Sequence, residues 1–340
     1  MRNIVYDTLL LGTQDCGSSL VVLQGQFDVL RAIFKHHALA WVTHIDVASP
    51  GYLRLGVTAE DREDDDLTRP LPSEPLDVRG HFPLPMTETI DGVLQLRQLH
   101  VNMMPIYMDT YSALPPDLER YQQLILACVR RLPFDERGNV GYLTVYEGYV
   151  DAGTSQRRGG LYIEAPNAKH QDLVDACAGG GTVECTVEEK YWGDGYWGDG
   201  SIVKKKVAGG IFIASSVADS CEVWNCTIED KDEVAGPFGG IECLRGVLRD
   251  CDSIKLDVYE LLWLTDRTPH ESLLLPTGTY RQFFRLVTSN VSLWFADHST
   301  ANSLGCVPTA RIVHGNKFAT TPIAQGHLML TAMALSSYGM

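Results

Sequence analysis

The sequence predicts a mainly β fold with flanking helices (α+β): a two-sheet jelly roll carrying an N-terminal α/β extension. Three observations point there. Beyond residue 139, short runs rich in β-branched and aromatic residues follow one another: VGYLTVYEGYV, GLYIEAP, TVECTVEEKYWG, VAGGIFIASSV, CEVWNCTI, YELLWLT, TYRQFFRLVT and VSLWFAD. Gly- and Asp-rich turns separate most of them. No long helical segment alternates with them, which argues against a parallel βαβ sheet and for a sandwich or barrel. A double-sheet jelly roll is the economical way to close so many short strands.

Residues 1–58 read as the extension, packed on the main body. A β-branched run, LVVL, precedes a helical pattern in which Phe27, Leu30, Ile33 and Phe34 share a face. WVTHIDV then alternates like a strand. Residues 59–86, acidic and then proline-rich, read as an exposed linker or long loop. Residues 87–340 are the jelly-roll domain. Within it, Pro115 and Pro116 open a helix over DLERYQQLILACVRRL. Asp117 and Glu119 lie at its start and Arg130 and Arg131 at its end, as the helix dipole favours. The C-terminal HLMLTAMALSSYGM reads as a docked tail.

Composition excludes some partners. The formal charge of the 340 residues is −15, from 43 acidic against 28 basic side chains. That argues against a nucleic-acid backbone or an anionic membrane surface. No apolar run reaches the ~18 residues of a membrane span, and the N-terminus lacks the pattern of a signal peptide. Nine cysteines, an odd number without a CxxC pair, read as reduced thiols of an intracellular, cytoplasmic protein rather than a zinc site. The expected partner is a small-molecule or peptide substrate.

The chemistry-bearing stretch is Trp263–Arg285. It holds His270 after a proline, a Gly-containing turn, and a strand carrying Arg281 and Arg285. Arg281, Phe283 and Arg285 share one strand face, Gln282 and Phe284 the other. Apolar balance does not say which face is inward. Non-haem iron oxygenases hold their metal with two histidines and a carboxylate. A carboxylate cosubstrate needs a fixed cation, a task that suits arginine.

In this order of elements the chain resembles the double-stranded β-helix (cupin-type) 2-oxoglutarate/Fe(II) oxygenases over roughly residues 100–320. His270 matches the family's distal histidine and Arg281 its cosubstrate arginine, with Arg285 beside it. RRGGLYIEAP matches the early ligand strand. The resemblance implies Fe(II) and 2-oxoglutarate as cofactors, a metal held by Glu164 and His270, and hydroxylation or a related C–H oxidation. The chain departs from the pattern at Tyr162, where the family has its first histidine. Three outcomes stay open: Tyr162 ligates the metal, Glu164 and His270 hold it with another donor or a water, or the metal is lost and the fold serves binding or assembly.

Two literal His-x-Asp strings compete, His170/Asp172 and His44/Asp46. A glycan-binding β-sandwich using Trp192, Trp197 and nearby aspartates is a further alternative. Those tryptophans lie in a tandem YWGDG repeat, Tyr191–Gly195 and Tyr196–Gly200, which reads as a duplicated loop or as a flap over a ligand. Arg157 and Arg158 read as solvated or as anion-binding. Gly209 and Gly210 suggest a bulge or close approach, and Asp297 and His298 a pocket rim. Cys221 has no histidine placed to activate it. No Walker loop, dinucleotide fingerprint, GxSxG or HExxH appears.

Overall fold

The computed structural model describes residues 45–46, 51–55, 76–109, 113–164, 197–203, 206–229, 234–235, 239–249, 251–288 and 290–314. At its centre is a six-stranded antiparallel sheet. The strand order is Tyr52–Arg54, Leu262–Leu264, Ile211–Ser215, Thr279–Val287, Val140–Val150, Leu99–Tyr107. A three-stranded antiparallel sheet, in the order Ser253–Lys255, Cys221–Trp224, His270–Ser272, forms a second β layer.

Alternation along the central strands sorts two cores. Phe212, Trp263, Phe284 and Leu286 point to one face, where they pack with Leu124, Ile125 and Cys128 of a helix. Ile211, Ile213, Leu262, Leu264, Phe283 and Val287 point to the other, where they meet Cys221 and Val223 of the second sheet. Each such side chain contributes about 1.5–3 kcal/mol by burial. The mainly β class is therefore as expected. The described strands do not by themselves trace a complete jelly-roll winding.

The helix differs from expectation at its start. Pro116–Tyr121 is a 3-10 turn, and the α-helix proper is Gln122–Val129. VAGGIFIASSV is also interrupted: Lys206–Gly209 and Ile211–Ser215 are separate strands. Gly210 (φ +83°) is the pivot between them. A Cβ there would lie 2.3 Å from the Trp263 ring, so only glycine lets the indole close in. The Trp263 Nε1–H donates to the Gly209 carbonyl at 2.9 Å.

Within 59–86, Leu76 and Val78 are buried and hydrogen-bond Leu55 and Tyr259 through their backbones. Nearly all of the N-terminal extension, and the C-terminal tail, lie outside the described residues. Among the described residues no helix is long and apolar enough to cross a membrane.

One irregularity positions the site. The Leu99–Tyr107 strand slips register against Val140–Val150 between Val101 and Met104, with Met103 at φ +48°. The Met103 amide donates to Thr144 Oγ1 at 3.1 Å, and Trp294 Nε1 donates to the Met103 carbonyl at 2.7 Å. Asn102 donates from its backbone to Thr300 Oγ1 and from Nδ2 to the His298 carbonyl.

Candidate functional site

His270 opens a strand rather than ending a loop. It faces Tyr162 across an isolated antiparallel bridge in which the two backbones exchange both hydrogen bonds, each 3.0 Å. Over residues 160–164 the expected strand is an isolated bridge: among the described residues Tyr162 pairs with His270 and Gly240. The rings of Tyr162 and His270 meet edge-on, centroids 4.4 Å apart. Two residues on, Glu164 projects into the same space. Its Oε1 lies 3.7 Å from His270 Nε2.

The His270 Nδ1 lies 2.8 Å from the Thr268 carbonyl. A carbonyl only accepts, so Nδ1 carries a proton and donates it, and Nε2 is the ring atom turned toward Glu164. Glu164 Oε1 also accepts a hydrogen bond from Arg285 Nη1. Arg285 Nη2 donates to Thr144 Oγ1 at 3.3 Å, which ties the cation to the bulge. The sequence left the orientation of the Arg281–Arg285 face open, and it is inward: Arg281 is 1% exposed and Arg285 4%.

Two adjoining spaces result, sharing four lining residues. An outer cleft of about 420 Å³ is lined by His100, Tyr146, Arg158, Trp197 and His298 among others. An inner chamber of about 20 Å³ lies between the sheets, lined by Arg281, His270, Cys221 and Phe283. Arg157, Tyr162, Glu164 and Arg285 line both. The chamber has room for about one or two water-sized groups.

Its charge is unbalanced. Three guanidiniums, Arg157, Arg281 and Arg285, face one carboxylate, Glu164. Arg157 Nη1, Arg281 Nη1 and Arg285 Nε are buried without a hydrogen-bond partner. Arg281 donates from Nε to Ser215 Oγ at 3.0 Å and stands 5.2 Å from the Phe283 ring centroid. Burial pulls its pKa down to about 10 and holds Arg285 below the usual guanidinium range for the same reason. Arg157 is wedged against Tyr146 and Phe283, 5.1 and 4.9 Å from the ring centroids. Arg158 lies 4.1 Å over the Tyr162 ring. Both are half-buried, with one side packed on aromatic rings rather than projecting freely into water. Nothing in their local sequence, QRRGG, signals that packing.

The donor set does not fit a divalent metal. The Glu164 oxygen facing His270 is already hydrogen-bonded by Arg285. Burial pushes the Tyr162 phenol up. Among the described residues no group of three His, Cys, Asp or Glu side chains is placed to hold an ion. His44, His170 and Asp172 lie outside the described residues, as does Trp192. For Asp46 only the backbone is described, and it pairs with Thr227.

Trp197 is not a cover. It is 5% exposed, and its Nε1–H donates to the Leu293 carbonyl at 2.8 Å. It therefore forms a fixed wall and offers no open face for a sugar. His298 is at the cleft lining as expected. Sequence reading missed Thr144, Ser215 and His100, whose roles depend on pairing across the sheet.

No family model and no curated protein matches this chain. Among solved structures it is similar to HygX from Streptomyces hygroscopicus with nickel and 2-oxoglutarate bound. The identity is 12%, over 57% of this chain and 74% of that one, with a TM-score of 0.30. For HygX with iron bound the identity is 12%, the coverage 59% and 80%, and the TM-score 0.28. The likeness is distant at that score, and the weight rests on the site itself.

Proposed function

We propose that the chain binds a small organic acid, its carboxylate end in the inner chamber and its body in the outer cleft. One observation carries this reading: three buried guanidinium nitrogens on one chamber lack partners. A buried cation without a counter-charge is unfavourable by several kcal/mol. An entering carboxylate removes that penalty and accepts charge-assisted hydrogen bonds from planar donors. Arg281, held from behind by Ser215, is the principal clamp, with Arg157 at the mouth. Tyr146 and Tyr149 line the outer cleft and give the ligand body apolar and polar surface together. Dicarboxylates of the 2-oxoglutarate type are the expected class.

Isothermal titration with 2-oxoglutarate, succinate and a neutral diamide of the same length tests it. The acids bind, the diamide does not, and Arg281→Gln weakens the acids at least tenfold. Equal binding of acid and diamide sinks the reading.

The Fe(II)/2-oxoglutarate oxygenase is the second reading. The observation favouring it is His270, whose Nε2 is turned toward Glu164 while Nδ1 is held by the Thr268 carbonyl. It requires succinate to form from 2-oxoglutarate with Fe(II) in air.

A further inference from the structure

We infer that the Arg285 guanidinium takes the place of a divalent metal ion beside Glu164 and His270, so that the chamber binds its anion without metal. The ligand-binding part of this inference rests on the organic-acid reading. The metal-exclusion part stands by itself.

Three features carry it. The first is occupancy of the shared ligand atom. Glu164 Oε1 is the carboxylate oxygen that faces His270 Nε2, and it is also the atom that accepts from Arg285 Nη1. An ion bridging Glu164 and His270 would meet that N–H.

The second is immobility of the cation. Arg285 stands on the central strand, opposite Thr144 on one side and Ile213 on the other. Its Nη2 is bonded to Thr144 Oγ1, which the Met103 amide holds in turn. The residue is 4% exposed.

The third is the field. Arg157 and Arg281 line the same chamber, so a divalent cation would be repelled by three fixed charges and attracted by one carboxylate. The same field favours an anion. A guanidinium performs part of what a metal would do here: it neutralises Glu164 and presents positive charge to an incoming carboxylate. It cannot exchange ligands or change oxidation state. Arg285 Nε is buried without a hydrogen-bond partner.

Co(II) is the probe, because a bound tetrahedral or five-coordinate ion absorbs in the visible. Wild-type protein titrated with Co(II) gives no such band. Its affinity for 2-oxoglutarate is the same within twofold in EDTA and in excess Co(II). Arg285→Met frees Glu164 and gains a Co(II) band that disappears in Arg285→Met/His270→Ala. A Co(II) band in wild type that His270→Ala removes overturns the inference. So does 2-oxoglutarate binding that appears only with metal, although that result leaves the organic-acid reading standing. A folded Arg285→Met without a band also overturns it. If that variant does not fold, the wild-type titrations decide. If 2-oxoglutarate and succinate fail to bind under every condition while wild type stays blank with Co(II), the organic-acid reading falls and the metal exclusion is upheld.

Discussion

Replacing Arg281 by methionine should make the empty protein slightly more stable while weakening its response to ligand. Burial lowers the Arg281 pKa from 12.5 to about 10. At 1.36 kcal/mol per unit, the charged side chain opposes folding by on the order of 3 kcal/mol. The sign follows from proton binding: between these pKa values the unfolded chain holds more protons, so stability rises with pH there, and the penalty is fully present at neutral pH. Methionine fills similar space without charge. The variant loses the Nε–H bond to Ser215 Oγ, worth about 1.5 kcal/mol, and the contact with Phe283, worth about 0.5–1 kcal/mol. Ser215 keeps its bonds to Val217 and Ser220, so no buried hydroxyl is orphaned. The net gain is about 1 kcal/mol, or roughly 1–2 °C in Tm for a chain of this length. In calorimetry at pH 7, ligand at a hundred times the wild-type Kd should add about 2.7 kcal/mol to wild type and no more than about 1.4 kcal/mol to Arg281→Met. A variant that melts several degrees lower, or that still responds fully to ligand, refutes the reasoning.

Gly210→Ala should destabilise by 3 kcal/mol or more, read as a drop in the urea midpoint. The new Cβ enters the Trp263 ring at a backbone conformation with φ +83°. Glu147→Ala should cost about 3–5 kcal/mol in the same assay. It leaves Arg120 without its counter-charge and removes the acceptor of the Tyr121 hydroxyl, while Tyr280 keeps the Arg97 carbonyl; unchanged stability would mean the network is idle. Affinity for an organic acid should be flat from pH 7 to 9 and fall above about 10, as empty-state Arg281 deprotonates. A decline centred near pH 6–7 would assign the binding to histidine instead.

Legibility in the sequence followed locality. Thr279–Val287 could be read because its alternation and aromatic content are local. Leu99–Tyr107 could not: LHVNMMPIY contains Asn102 and Pro105 and breaks alternation where the bulge falls. The inward turn of Arg281 and Arg285 was undecidable, because Gln282 and Phe284 make an equally plausible inner face. Which face won depends on the helix claiming Phe284 and Leu286. Tyr162, Glu164 and His270 were picked out as residues by resemblance and spacing. What their neighbourhood does chemically was not, since it turns on Arg285 reaching Glu164, a contact between segments far apart in the chain. Arg157 and Arg158 show the same limit: a cation between aromatic rings leaves no trace in neighbouring letters.

The slip at Asn102–Met103 has a consequence for how such a pocket changes over evolutionary time. Through Asn102 it holds the backbone of the rim at His298–Thr300. Through Met103 and Thr144 it holds Arg285. Entrance and floor are therefore two arms of one lever. A substitution at the bulge re-tunes ligand length and head-group placement in a single step, whereas substitutions on either arm alter one and leave the other as it was.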